Sequence, residues 1–309
     1  MANLRRFVGR YPVGTFVALT LGFQFLVVGF LAWRMRGGLH MHEDGPAHMV
    51  FRLRVFGPLG FAVLLSWWLE GRAGLRTLFG SYRKWKAPAA FYAMALSWKF
   101  VYFYAGIVVL TVLGIGEWHG WVVPGFFDGD HAQLMNLLRN MGFIVGIAFV
   151  EETAWMKYSV TRLQARYSAL TSCSIVGVCW GFWYLPMLLV GEGVPDGFIA
   201  PVFMASMFAL TILLGWMFNM TRSGPILMLA QIVSNCAFFI VPAFVGDGEV
   251  DPTNINAFVA MNCVGSLLLV LVYGWRELGT GKRATWGEER GLEEAPALQP
   301  LASTRGTLK

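Results

Sequence analysis

The sequence predicts an all-α polytopic membrane protein, built as an eight-helix transmembrane bundle. The first reason is composition: 56% of the 309 residues are hydrophobic and only 14% are charged, whereas soluble domains carry about a quarter charged residues. The second is that apolar runs of roughly membrane-spanning length recur eight times between polar loops. The third is that basic residues collect in alternate loops, which is the bias that orients membrane proteins.

The eight predicted helices follow one another along the chain. The first is expected to stay uncleaved, because it is longer than the apolar region of a signal peptide and no small-residue cleavage site follows it. Pro225, directly after Ser223 and Gly224, fits the first turn of the seventh helix. The predicted helices are Val13–Trp33, Val55–Leu69, Ala89–Leu113, Leu134 to about Arg162, Ser172–Val190, Ile199–Phe218, Pro225–Phe244 and Ala257–Trp275.

The distribution of charge predicts that both termini are cytoplasmic. In that orientation 18 of the 24 Lys and Arg residues lie in inner segments, as the Lys/Arg bias requires. The net charge of +6 is therefore read as a membrane signature, and no nucleic-acid partner is expected. The basic, amphipathic segment 72–86 is suited to lying on an anionic inner leaflet. Four residues break the pattern: Arg34, Arg36, Arg52 and Arg54.

Two polar segments lie outside the predicted membrane core. The loop between the first two helices holds a cluster of polar residues that either binds a metal or is simply solvated. The spacing of these residues matches no metal-binding template. The members of the cluster are His40, His42, Glu43, Asp44 and His48. The second segment, residues 276–309, is rich in Glu, Gly, Pro and Ala, and it is predicted to be a disordered cytoplasmic tail. The membrane domain is accordingly assigned to residues 1–275.

Two adjacent carboxylates, Glu151 and Glu152, follow the apolar run 134–150. Ionisable groups at membrane depth are costly unless they are paired or face a wet cavity. The pair therefore marks either a functional site or the boundary where a helix enters water. Gln231 and Asn235 are four residues apart and share one helical face, although amides in membrane helices also serve as plain interhelical hydrogen-bond partners.

These motifs resemble those of the CPBP (CaaX protease/bacteriocin-processing, Abi) intramembrane proteases, which include the type II CaaX prenyl endopeptidases. The family pattern is EExxxR, then FxxxH, then HxxxN, on three helices of an eight-helix bundle. Here the first motif matches Glu151-Glu152, the second resembles the segment 180–186, and the third resembles the segment 223–235. The resemblance covers residues 140–240 or so. It implies an eight-helix bundle of the CaaX-protease type and an endopeptidase (a hydrolase) acting on membrane-tethered or prenylated peptides.

The sequence departs from the family pattern at three positions. The motif arginine falls on Met156, and the two motif histidines fall on Tyr184 and Gln231. The resemblance implies that Glu151 is the base that activates water, with the NH2 groups of Gln231 and Asn235 as oxyanion donors. A phenol such as Tyr184 can hold a water molecule but is a poor base at neutral pH.

Without the motif arginine, Lys99 is the candidate counter-ion for the carboxylates. The alternative for Lys99 is that its side chain extends to the inner interface. Members of the family are sometimes described as metal-dependent, but their histidine ligands have no counterpart at the matching positions. We therefore expect no metal and no other cofactor.

Three functions are compatible with the residues. The first is a pseudoprotease that binds membrane-tethered peptides or lipid, with proteolysis attenuated or lost. The second is an active intramembrane endopeptidase that uses Glu151, assisted by Glu152, Tyr184, Gln231 and Asn235. The third is a small transporter, which the lack of an internal repeat in the sequence disfavours.

Overall fold

The computed structural model describes residues 2–34, 45–116, 118, 120–123, 126–127, 129–194, 197–242 and 252–288. Within these ranges the regular structure is helical throughout. Two 3₁₀ turns (Arg54–Phe56 and Ser81–Arg83) and a π-helix (Glu152–Val160) interrupt the α-helices. The α-helices are α1 (Ala2–Arg10), α2 (Pro12–Arg34), α3 (Pro46–Leu53), α4 (Gly57–Gly80), α5 (Ala89–Val112), α6 (Ala132–Glu151), α7 (Thr161–Gln164), α8 (Ala169–Val190), α9 (Ala200–Thr221), α10 (Gly224–Ile240) and α11 (Pro252–Tyr273).

The polytopic membrane fold predicted from the sequence is confirmed. Among the described residues, seven helical stretches are long and apolar enough to cross a membrane, and α10 is a shorter eighth apolar helix. With 17 residues, α10 is only about 26 Å long. It begins as predicted, with Pro225 in its first turn and the Ser223 hydroxyl accepting a hydrogen bond from the Ile226 amide at 3.3 Å. The cytoplasmic placement of the termini stays a prediction.

The second predicted helix extends further than expected, because α4 continues to Gly80 across a break at Gly71. Gly71 has φ 61° and ψ −142°, a conformation that glycine adopts far more readily than other residues. Beyond this break Arg72 and Arg76 are exposed, whereas Leu78 is buried. The basic amphipathic segment therefore begins at a change of direction in the chain.

Helices α8 and α9 approach each other closely at Gly177. A Cβ atom added there would lie 3.0 Å from the Cα of Phe208 and 3.2 Å from the carbonyl oxygen of Met207. Both are backbone atoms, which cannot move away without shifting α9. Small residues allow this kind of close backbone packing between membrane helices.

Replacing Gly177 by alanine is expected to lower the free energy of unfolding by about 1–3 kcal/mol, because the added methyl group overpacks this contact. Gly142 on α6 is the matched control, since a Cβ there meets nothing within 4 Å. Gly142→Ala should be neutral or slightly stabilising, because alanine favours helix. Thermal unfolding in detergent measures both variants, and equal melting temperatures would contradict the packing argument.

Residues 276–288 form an ordered segment, the C-terminal strap, that lies across the end of α7. The Trp286 amide donates to the Thr161 carbonyl at 3.1 Å, and Arg283 Nε donates to the Gln164 carbonyl at 2.7 Å. Leu278 and Ala284 of the strap are buried. The disorder predicted from residue 276 onward is therefore wrong for residues 276–288, while residues 289–309 lie outside the described residues.

The prediction of disorder failed because the polar residues of the strap bond to helix ends. The last four carbonyls of a helix have no partner within it. The strap donates hydrogen bonds to two such carbonyls, at the end of α7. The indole N–H of Trp286 also donates to Glu70 Oε1 at 2.8 Å, and the same oxygen accepts from Arg162 at 2.6 Å. These bonds join the strap to both α4 and α7.

Candidate functional site

The structure brings three of the predicted site residues into direct contact. Glu151 is the last residue of α6 and is fully buried. Its Oε1 accepts a hydrogen bond from the Tyr184 hydroxyl at 2.6 Å, and its Oε2 accepts one from Nε2 of Gln231 at 2.8 Å. Because Tyr184 lies on α8 and Gln231 on α10, one carboxylate joins three helices.

Immediately after Glu151 the chain widens into the π-helix. The Thr161 amide donates to the carbonyl of Met156, five residues earlier, and all nine residues of the π-helix are buried. Such segments are rare and often occur at functional sites. The sequence predicted an uninterrupted α-helix as far as Arg162, so the π-helix was missed. The spacing of apolar residues does not reveal where a helix widens by about one residue per turn.

Aromatic packing fixes α8 against the π-helix and so sets the position of Tyr184. The Trp155 ring stacks on Trp180 with centroids 5.9 Å apart and an interplanar angle of 14°. Phe16 of α2 meets Trp155 edge-on at 5.3 Å, and Trp183 meets it at 6.5 Å. Trp155, Trp180 and Trp183 are fully buried. The tryptophans around the second motif therefore hold α8 in place beside the π-helix.

A cavity of about 440 Å³ adjoins this cluster. Tyr184, Gln231 and Asn235 line it, whereas Glu151 lies behind them and is not one of the described lining residues. Nδ2 of Asn235 and Oε1 of Gln231 are buried without a hydrogen-bond partner in the described part of the chain. Much of the remaining wall is aromatic: Phe51, Trp98, Phe143, Trp183, Phe198, Phe203, Phe238, Phe239 and Phe258.

The other two candidates stand apart from the cluster. Glu152 is 1% exposed, and neither of its carboxylate oxygens has a hydrogen-bond partner among the residues described. Lys99 on α5 lines the cavity and donates to the carbonyl and hydroxyl oxygens of Ser234 at 2.8 and 3.2 Å. Its ammonium also lies 3.3 Å from the centre of the Phe238 ring. A counter-ion role for Lys99 stays a prediction.

Arg54, in the turn before α4, supplies a positive charge that sequence reasoning missed. It is 5% exposed and interacts electrostatically with Glu151 and Tyr184. Its guanidinium donates to the Phe51 carbonyl and to the Met187 sulfur. The signal was present in the sequence, because Arg54 is one of the arginines that break the predicted charge pattern. A basic residue predicted to lie on the outer side of the membrane is therefore a candidate for burial inside the protein.

The polar groups around the cluster do not fit a bound metal. Within the described ranges, no three His, Cys, Asp or Glu side chains are grouped so that they would hold an ion. The partners of Glu151 are a phenol and an amide, which are weaker metal ligands than imidazole or thiolate. Of the histidine-rich loop, His48 lies on α3, while residues 40–44 lie outside the described residues.

The helices and the buried polar cluster define a multi-pass membrane protein with a polar site inside its helical bundle. The family model described as Rce1-like, type II CAAX prenyl endopeptidase, matches residues 133–237, which run from the start of α6 into α10. The resemblance seen in the motifs is therefore confirmed over a third of the chain, and the roles of the individual site residues stay predictions. No curated protein matches the chain.

Proposed function

We propose that this protein binds a membrane-tethered peptide in the cavity beside Tyr184, Gln231 and Asn235, and that its proteolytic activity is attenuated or lost. The observation that carries the proposal is the closed arrangement around Glu151, in which each carboxylate oxygen accepts a hydrogen bond from a side chain lining the cavity. Prenylated peptides are the natural first ligands to test, given the family that the matched segment resembles.

Two features argue for weak or absent hydrolysis. A phenol and an amide stand between Glu151 and the cavity, and neither accepts a proton readily at neutral pH. A water molecule in the cavity must pass these two side chains to reach the carboxylate. General acid–base assistance is worth roughly 10²–10⁴-fold in rate, so a site without it loses activity of that order. The family resemblance gives no support to a transporter.

The experiment compares binding and cleavage of a farnesylated peptide by the purified protein and by Glu151→Gln, which keeps the size of the side chain. We expect the parent to bind the peptide and to show no turnover above the Glu151→Gln variant. Binding is measured by fluorescence anisotropy in phosphatidylcholine nanodiscs, and cleavage by mass spectrometry. Failure of the parent to bind any membrane-tethered peptide tested would overturn the proposal.

An active glutamate-dependent endopeptidase is the second candidate, and one observation favours it. The Asn235 amide lines the cavity with a buried Nδ2 that has no partner in the described chain, so a donor is available for an oxyanion. A carboxylate offers about four acceptor sites, and two are used at Glu151. Turnover by the parent that disappears in Glu151→Gln would select this candidate.

The orientation that accompanies this function has both termini in the cytoplasm. It is supported by the excess of Lys and Arg in the inner segments. The basic segment beyond Gly71, with Arg72 and Arg76 exposed, then faces the anionic inner leaflet.

A further inference from the structure

The wall of the cavity is strongly basic for a site at membrane depth. Among its described residues, Arg52, Arg54, Lys99 and Arg139 are cationic, and Glu192 is the acidic one. These cations come from separate parts of the chain: α3, the turn before α4, α5 and α6. Because charges at membrane depth are costly when unbalanced, this excess indicates a ligand that carries negative charge.

Arg54 is the most deeply buried of the arginines, at 5% exposure. The acceptors that it contacts, the Phe51 carbonyl and the Met187 sulfur, are both neutral. Its Nε is buried without a hydrogen-bond partner in the described chain, as is Nδ1 of His48 on the same wall. A buried guanidinium with a spare donor favours a carboxylate or phosphate oxygen, because such charge-assisted bonds are the strong ones.

The two arginines nearer the surface are placed to reach the same ligand. Arg52 donates to Asn140 Oδ1 at 3.0 Å and lies over the Phe143 ring, 4.0 Å from its centre. Arg139 has an exposed side chain on the cavity wall. The four cations of the wall face two carboxylates, Glu192 on the wall and Glu151 behind it, so the cations are in excess.

The rest of the cavity is suited to one hydrocarbon chain. Its volume of about 440 Å³ lies within the roughly 300–1,000 Å³ of small-molecule sites. Its aromatic wall includes Trp98, Phe203 and Phe258, which offer no hydrogen bonds other than the Trp98 indole N–H, and that group donates to the Ala230 carbonyl at 3.0 Å. An apolar body beside a cationic wall complements an amphiphile with an anionic head.

We propose that the cavity binds a single-chain anionic lipid, with its carboxylate or phosphate head at Arg52, Arg54 and Arg139 and its chain against the aromatic wall. This site goes beyond the proposed function, because it requires no peptide and no hydrolysis. A lipid held there also occupies the space in front of Tyr184 and Gln231, so it competes with a peptide for the cavity.

The test measures binding of radiolabelled oleate to the full chain in phosphatidylcholine nanodiscs, with empty nanodiscs subtracted. Oleyl alcohol has the same chain without the charge, and it should bind at least tenfold more weakly. Arg52→Gln and Arg139→Gln should each weaken oleate binding about tenfold and leave the alcohol unaffected. Arg76→Gln, an exposed arginine on α4 outside the cavity, is the matched control and should bind oleate like the parent.

Competition identifies the head group. If lysophosphatidate displaces oleate and lysophosphatidylcholine does not, the site accepts a phosphate head as well as a carboxylate. If neither lysolipid displaces oleate, the site is specific for a carboxylate. Displacement by both lysolipids, equal binding of oleate and oleyl alcohol, or an equal loss in Arg76→Gln would overturn the proposal. None of these results depends on whether the parent binds a peptide, so the proposed function is tested separately.

Discussion

Replacing Tyr184 and Gln231 together by histidine is expected to raise the rate of peptide hydrolysis by about 10²–10⁴-fold over the parent, the usual worth of general acid–base catalysis. Both side chains already contact the carboxylate of Glu151. Imidazole accepts a proton near neutral pH, whereas a phenol and an amide do not. The double variant therefore supplies the missing proton acceptor at the two positions where the family resemblance calls for histidine.

The gain must depend on Glu151 if the geometry is responsible for it. Adding Glu151→Gln to the double variant should return the rate to that of the parent, and the variants should share one melting temperature. Mass spectrometry of a farnesylated peptide, with rates compared at equal occupancy, measures the difference. A folded double variant that binds the peptide and still shows no turnover dependent on Glu151 would mean that the carboxylate is structural.

The cluster around Glu151 was within reach of sequence reasoning because its members obey simple rules. A carboxylate at the end of an apolar run is conspicuous, and Gln231 and Asn235 lie four residues apart on one helical face. Tyr184 was found only through the family pattern, since a tyrosine in an apolar helix is otherwise unremarkable. The structure adds that Glu151 bonds to Tyr184 and Gln231 and lies behind the cavity wall.

The features that sequence reasoning missed depend on contacts between distant segments. The π-helix after Glu151 changes hydrogen bonding by one residue, and nothing in the order of buried side chains records that change. Arg54 reaches the site from a turn about a hundred residues earlier. Its one signal was that it violated the charge rule, and Arg52, which shares that violation, also lines the cavity. Exceptions to the Lys/Arg bias were therefore more informative about the site than the residues that obeyed it.

The C-terminal strap links the far end of the chain to the segment that positions Glu151. Tyr158 of the π-helix meets the Trp286 ring edge-on at 5.6 Å, and the Arg162 guanidinium lies 3.9 Å from the centre of the indole. Asn219 of α9 accepts from the Ala284 amide and donates to the Glu277 carbonyl, both at 2.9 Å. The strap therefore contacts both the π-helix and α9, and its removal exposes polar groups that helices α7 and α9 cannot satisfy themselves.

Truncation after Arg276 is expected to lower the free energy of unfolding by about 2.5–7.5 kcal/mol, the worth of five hydrogen bonds at roughly 0.5–1.5 kcal/mol each. These bonds are made by Glu277, Ala284, Trp286 (two) and Arg283. The carbonyls of Thr161 and Gln164 then lose the donors that the strap supplies. Glu70 loses the Trp286 indole and keeps Arg162 as a donor. Thermal and denaturant unfolding in the same detergent measure the loss.

Truncation after Glu288 is the matched control, because it removes part of the polar tail but keeps the whole strap. It should unfold like the full chain. Trp286→Phe provides a finer comparison: it keeps a ring against Tyr158 and removes the N–H donor to Glu70. Because Glu70 keeps Arg162 as a partner, the variant should lose about 1.5–3 kcal/mol, the usual worth of one hydrogen bond to a charged group. If both truncations unfolded at the same temperature, the strap would make no net contribution to stability, and the π-helix would have to be held by the tryptophan stack around Trp155 alone.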